Sequence, residues 1–272
     1  MIRVSELTIY PIKSCAGTTL THAEVQEQGL RNDRRWMLVD ESNVALTQRD
    51  IFKMALIHPR LSQTESGETT IKLSAPDYDD FVLTPSSVKN GKPPLWVQVW
   101  NDPCEAIDQG DAVAQWFSTY LGKKCRLVEM APDFHRIVDQ MYATEKTDHV
   151  SFADGFPVLI ISQASLDDLN TRLKEPILMN RFRPNIVVTG CEPFAEDDWK
   201  NIKIGETEFA IVKPCARCVI TTIDQFTGTL TGEPLKTLKT FRNVNNKLMF
   251  GQNVIPKSAG KIRLADQITV LA

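Results

Sequence analysis

Over most of the first 110 residues, apolar positions recur at every second residue in short runs, the signature of β-strands. Ile2, Val4, Leu7 and Ile9 are apolar among polar neighbours, and the phase slip near Ser5-Glu6 predicts an irregularity inside that strand. Arg35-Trp-Met-Leu-Val-Asp40 is a compact apolar run that stops at the turn residues Glu41-Ser-Asn43. Thr69–Ser74 alternates up to the breaker Ala75-Pro-Asp77. Phe81–Leu83 and Leu95–Trp100 predict two more strands, separated by an Asn90–Pro94 loop. Short strands with frequent turns predict a barrel-like or sandwich-like β unit.

The period lengthens at Asp111–Leu121, where Val113, Trp116, Phe117 and Leu121 fall on one helical face and Gly122 supplies a stop. A loop-rich stretch follows from Ala131 to about Ala153. Phe156–Ile161 predicts a buried strand and Ser162 an N-cap for a helix over Ala164–Leu173. Asn185–Thr189, Glu208–Val212 and the β-branched Arg217–Ile223 predict further strands. Pro234 introduces a short helix over Leu235–Phe241, and Lys261–Leu264 and Gln267–Leu271 close the chain. With no internal repeat, the pattern gives an α+β class: helices inserted into a β-rich protein rather than a doubly wound sheet. A boundary between residues 100 and 125 divides an N-terminal β-rich domain, 1–115, from a second domain, 116–272.

Composition narrows the function classes. The 272 residues carry 31 Lys+Arg against 34 Asp+Glu, a near-balance that argues against nucleic-acid binding through a large basic surface. No run approaches the roughly 20 apolar residues of a membrane span. Six cysteines sit in a chain too long to need covalent staples and with no signal-peptide pattern at its start, so a reduced, cytoplasmic protein is expected.

Two of those cysteines are close together, in Pro214-Cys215-Ala-Arg217-Cys218. A structural zinc site needs four ligands, and the four histidines, 22, 58, 135 and 149, are isolated in sequence. A thioredoxin-like dithiol needs a helix after its first cysteine, whereas a strand is predicted here. A third possibility uses one thiolate to bind a soft metal or metal cofactor, with Lys213 and Arg217 favouring the anion. The fourth is plain burial, the expectation also for Cys104, Cys125 and Cys191. Separately, Lys13 and Ser14 follow the first strand, Arg31, Arg34 and Arg35 surround Asp33, and Arg181, Arg183 and Asn185 precede another strand. Cations at element ends suit a phosphate-bearing ligand, although each cluster alone is equally suited to surface ion pairing.

The segments Asn180-Arg-Phe-Arg-Pro-Asn185 through Gly190, Ala195–Trp199, Pro214–Asp224 and Phe250-Gly-Gln-Asn253 together resemble the MOSC domain. Tyr10–Cys15 and Gly29–Arg34 resemble the N-terminal β-barrel domain preceding it in the branch that includes the amidoxime-reducing components. The resemblance runs in order over nearly the whole chain. It implies a β-barrel-rich MOSC fold and a molybdenum cofactor whose metal is held by pterin sulfurs and one protein thiolate. Carried over, that thiolate is Cys218, with Lys13, Ser14, Arg34, Arg183 and Asn185 as cofactor contacts and Asp154 near the metal. The turn holding Cys15 is then part of the cofactor site. The implied activity is reduction of N-hydroxylated compounds, such as hydroxylamines, amidoximes and N-hydroxylated bases, to amines. The plant-type iron–sulfur spacing of some relatives is absent, so the implied electron source is a separate flavin or iron–sulfur protein. The alternative within the family is a molybdenum cofactor carrier, or a sulfur-transfer protein using a cysteine persulfide.

Overall fold

The computed structural model describes residues 1–65, 67–85 and 94–271; the predicted Asn90–Pro94 loop lies, apart from Pro94, outside them. The architecture is α+β, with strands dominating and three α-helices among the described residues. Its largest sheet has nine strands. The order across it is Thr18–Leu20, Arg3–Ile9, Ile186–Thr189, Val158–Ser162, Lys247–Pro256, Thr207–Ala216, Asn201–Ile204 and Ile268–Leu271, with Asn243–Val244 paired to the side of Lys247–Pro256. Hydrogen bonding therefore joins the start of the chain to its second half. Arg3–Ile9 runs antiparallel to Ile186–Thr189, and the predicted irregularity is a register shift between Val4 and Glu6.

Val158–Ser162 and Ile186–Thr189 are parallel, and the crossover between them contains the helix Gln163–Thr171. Ser162 caps that helix as expected, its hydroxyl accepting from Ser165 N at 3.1 Å. Lys247–Pro256 lies beside Val158–Ser162 so closely that a Cβ on Gly251 would sit 2.6 Å from Ile161 and 2.9 Å from the Ile160 carbonyl. Glycine at this position, in the Phe250–Asn253 motif, permits the close approach and the φ of 78°.

A second sheet orders Trp36–Val39, Arg126–Met130, Asp102–Asp108 and Leu95–Val99. The helix Asp111–Leu121 covers it, burying Val113, Trp116 and Phe117 against Trp36, Leu38 and Leu127. Gly122 ends the helix with a left-handed φ of 67°. A three-stranded sheet of His58–Gln63, Thr69–Ala75 and Tyr78–Leu83 completes that core. Another joins Gly260–Arg263 to His22–Gln26, a second link between chain end and chain start. The short helix Leu235–Phe241 forms where the sequence predicts it.

One expected strand is absent. Arg217–Ile223 is β-branched, yet the strand stops at Ala216 and Val219–Thr222 makes a single 3-10 turn starting from Cys218. The Thr221 hydroxyl donates to Cys218 O and that of Thr222 to Val219 O, each three residues back, so side-chain bonding draws the segment out of the sheet. The strand-based objection to a dithiol falls with it, although the turn begins at the second cysteine rather than the first. Nor are all histidines isolated in space: His135 and His149 stack with ring centroids 4.3 Å apart.

Candidate cofactor site

All seven expected site residues, Lys13, Ser14, Arg34, Asp154, Arg183, Asn185 and Cys218, line one cleft with a void of about 770 Å³, mouth included. The elements delivering them are a turn after the first strand, the entry to Trp36–Val39, the loop after His149–Val150, the entry to Ile186–Thr189, and the end of Thr207–Ala216. Three of the seven, Ser14, Arg34 and Arg183, adopt left-handed backbone with φ of 66°, 47° and 56°. For side chains of this kind that conformation costs of order 1–2 kcal/mol and concentrates at functional turns. Backbone bonds hold it: Arg34 N donates to Tyr10 O at 2.8 Å, Lys13 N to Trp36 O at 2.8 Å and Phe152 N to Arg34 O at 2.9 Å.

At one end of the cleft, Tyr10 forms a platform. The Arg34 and Arg183 guanidinium carbons lie 4.3 and 4.2 Å from its ring centroid. Arg34 donates from Nη1 to Asp33 Oδ2 at 2.6 Å and Asn185 Oδ1 at 3.0 Å. Asp33 is buried, and its other oxygen accepts Tyr10 N at 2.7 Å. Burial raises the Asp33 carboxyl above its usual value while Arg34 opposes the shift. Burial, reinforced by Arg34, pushes the Arg183 guanidinium down to about 10, still charged near neutral pH. Burial also lifts the Tyr10 phenol to about 12, against the pull of both arginines. Both polar atoms of the Asn185 side chain are engaged by protein: Oδ1 accepts from Arg34 and Leu159 N, and Nδ2 donates to Thr8 O. Its side chain braces Arg34.

At the other end, buried Lys13 donates from Nζ to Phe152 O at 2.8 Å and Asp154 Oδ1 at 2.6 Å. Burial lowers the Lys13 ammonium below its usual value, with Asp154 opposing. Crowding by protein raises the Asp154 carboxyl, but Lys13 and then Arg49 outweigh it and hold the group well below the carboxylate range. The Asp154 loop is clamped from behind by buried Arg136. Its guanidinium donates to Ala153 O and Asp154 O and pairs with Asp102 at 2.7 Å.

Sequence reasoning missed Arg49, whose Nη2 is 3.1 Å from Asp154 Oδ2 and 3.6 Å from Cys218 Sγ. It comes from Thr47-Gln-Arg-Asp50, a polar turn with nothing in its spacing to mark it. It also missed the Cys215–Arg217 contact, in which Nη1 donates to Sγ at 2.9 Å while Nη2 donates to Phe182 O. Conversely, Arg181 turns away to Asp224 at 3.0 Å, and Arg31 pairs with Glu24 on the surface. The Cys15 side chain leaves its turn for the core beside Trp36 and Phe117, where burial pushes the thiol up to about 12. All six cysteines are free thiols.

The donor set fits an anionic, thiolate-bound cofactor. Arg183 has no carboxylate or carbonyl acceptor among the described residues, and Arg217 Nε is buried without a partner. Arg183 leaves cationic N–H groups for a ligand anion, and Cys218 supplies a soft donor for a soft metal.

Comparison with known proteins finds similarity along nearly the whole chain. Residues 1–124 match the MOSC N-terminal beta barrel domain and residues 147–269 the MOSC domain. The chain is 37% identical to mitochondrial amidoxime-reducing component 1 of Mus musculus, covering 98% of this chain and 82% of that protein. The corresponding Homo sapiens protein is 36% identical with the same coverage. Molybdenum cofactor sulfurase of Danio rerio is 32% identical over 94% of this chain and 32% of its own length. No helix among the described residues is long and apolar enough to cross a membrane. The chain belongs to the MOSC-domain family, in the branch whose MOSC domain follows a MOSC N-terminal β-barrel domain.

Proposed function

We propose that this chain is a molybdenum cofactor-dependent reductase of N-hydroxylated compounds, receiving electrons from a separate flavin or iron–sulfur protein. The observation that carries the reading is the meeting of Cys218 with Lys13, Ser14, Arg34 and Arg183 in one cleft. The naming of its relatives as amidoxime-reducing components supports the reaction class. In this reading Cys218 holds the metal, the Arg34–Arg183 end receives the phosphate, and Asn185 keeps Arg34 aimed. When bound, the cofactor supplies the two-electron chemistry that removes oxygen from nitrogen.

The protein's share is positioning and proton supply. Cleaving an N–O bond to give an amine and water consumes two electrons and two protons. Asp154 is 55% exposed toward the cleft and in contact with solvent, while Lys13 holds a proton at Nζ, 2.6 Å from Oδ1. Lys13 is therefore assigned the supply of the proton, the ionised Asp154 orients it, and Arg136 keeps the Asp154 loop in place.

The test is metal and pterin analysis of protein from cells able to make the cofactor. Wild type should carry stoichiometric molybdenum and Cys218→Ala none; absence from both would end the reductase reading. Cys215→Ala should retain metal, and equal loss from both variants would point to a two-cysteine site. The sulfurase relative favours a second reading, cofactor carriage or persulfide transfer. Hydroxylamine reduction by the loaded protein with a chemical electron donor separates the two, because a carrier gives no turnover.

A further inference from the structure

Arg49 lies between the thiol and the carboxylate of the cleft. One nitrogen, Nη2, reaches Asp154 Oδ2 at 3.1 Å and Cys218 Sγ at 3.6 Å, and the guanidinium carbon is 4.5 Å from the Trp100 ring centroid. The turn beneath it is fixed from two sides. Buried Gln48 donates to Ser14 O at 2.7 Å and exchanges amide contacts of 3.1 and 3.3 Å with Gln225, in the segment that follows Cys218. Trp100 is a large aromatic in left-handed backbone, φ 55°, on the turn between Leu95–Val99 and Asp102–Asp108, and it is 53% exposed. A bulky residue in that conformation is disfavoured, and here its ring covers the charged end of Arg49. The other guanidinium near the cysteine pair, that of Arg217, is engaged by Cys215 and Phe182.

The geometry points to Arg49 as a positioning residue that sets the electron density on the Cys218 sulfur, with Trp100 holding it in place. This rests on the reading of Cys218 as the metal's protein ligand. An N–H donor aimed at a ligating sulfur draws charge from it. It thereby favours the electron-rich, reduced form of the metal, as hydrogen bonds to cluster sulfurs do. Asp154, on the same nitrogen, stops Arg49 from swinging away from the thiolate.

The test compares molybdenum-loaded wild type, Arg49→Met, Arg49→Lys and Trp100→Leu. Two quantities are read: molybdenum per chain, and the midpoint potential of the bound metal in an EPR-monitored redox titration. Arg49→Met is expected to keep its metal while the electron affinity falls about tenfold, ~59 mV for one electron. Arg49→Lys and Trp100→Leu should shift in the same direction by less. If Arg49→Met instead loses its metal, those two milder variants decide by the same shift. Unchanged midpoints across the variants that hold metal overturn the assignment of Arg49 and leave the ligand reading intact. A wild type without molybdenum overturns the ligand reading and the assignment with it, an outcome visible from metal content alone.

Discussion

The two ends of the cleft pair their cations differently, although each holds two cations and one carboxylate. At the Cys218 end, Lys13 and Arg49 both contact the Asp154 carboxylate, so each cation has an ion-pair partner within the protein. At the Tyr10 end, Arg34 and Arg183 share one ring, but only Arg34 contacts the carboxylate there, Asp33. Among the described residues, Arg183 is left with positive charge and no contacting anion. The paired end is suited to hold groups in place, and the unpaired end to attract a ligand's negative charge. The sequence motifs present Lys13, Arg34 and Arg183 as equivalent basic residues; the structure adds Arg49 and sorts the four into two jobs.

Removing the carboxylate of the Tyr10 end should have the largest effect. Asp33→Ala leaves Arg34 without its counter-ion and Tyr10 N without its acceptor, both in buried surroundings. A loss of about 3–5 kcal/mol in urea unfolding is expected, and a loss below about 1 kcal/mol would show that the two arginines need no internal anion. Next comes the unpaired cation itself. Arg183→Met should weaken cofactor retention by about 10- to 100-fold, corresponding to a charged hydrogen bond of about 1.5–3 kcal/mol, with unfolding stability unchanged or improved. Retention unchanged in a folded variant would move the anion site away from this end.

The paired end is probed by acid. The Asp154 carboxyl lies below its unfolded value of 3.8, so its stabilisation is complete above that value and is lost as pH falls toward the folded value. Wild type should lose urea stability more steeply than Asp154→Asn between roughly pH 4 and 2, and parallel acid limbs would contradict the pairing. The smallest effect is expected at Arg31, which meets Glu24 with both side chains about half exposed. Arg31→Ala should change stability by no more than about 0.5 kcal/mol and leave molybdenum content alone.

The sequence resemblance found the residues of the cleft but not their division of labour. Ser14, Arg34 and Arg183 aim inward through left-handed backbone, and nothing in their identity signals it, because such turns usually carry Gly, Asn or Asp. Arg49 escaped because its partners lie 105 and 169 residues away, beyond any local spacing rule. Arg181 was grouped with Arg183 on proximity alone, yet its 3-10 turn directs it to Asp224. Local signals fared better at helix boundaries: Ser162 through its hydroxyl bond, and Gly122 and Pro234 through their backbone, each mark one that the structure has. Arg217–Ile223 failed because threonine hydroxyls bonded to the backbone three residues back and overrode β-propensity.

The strand pairing of the chain's start with its later half has a temporal consequence. Arg3–Ile9 finds its neighbour only when Ile186–Thr189 exists, and His22–Gln26 only when Gly260–Arg263 does. The braces of the cleft are equally distant in sequence: Lys13 to Asp154, Arg34 to Asn185, Gln48 to Gln225. Contacts of such long range form late and together, after most of the loop-closure entropy has been met. A growing or truncated chain therefore offers scattered cations but no cleft. On the proposed reading, capture of the cofactor is reserved for molecules whose synthesis and folding have both run to the end.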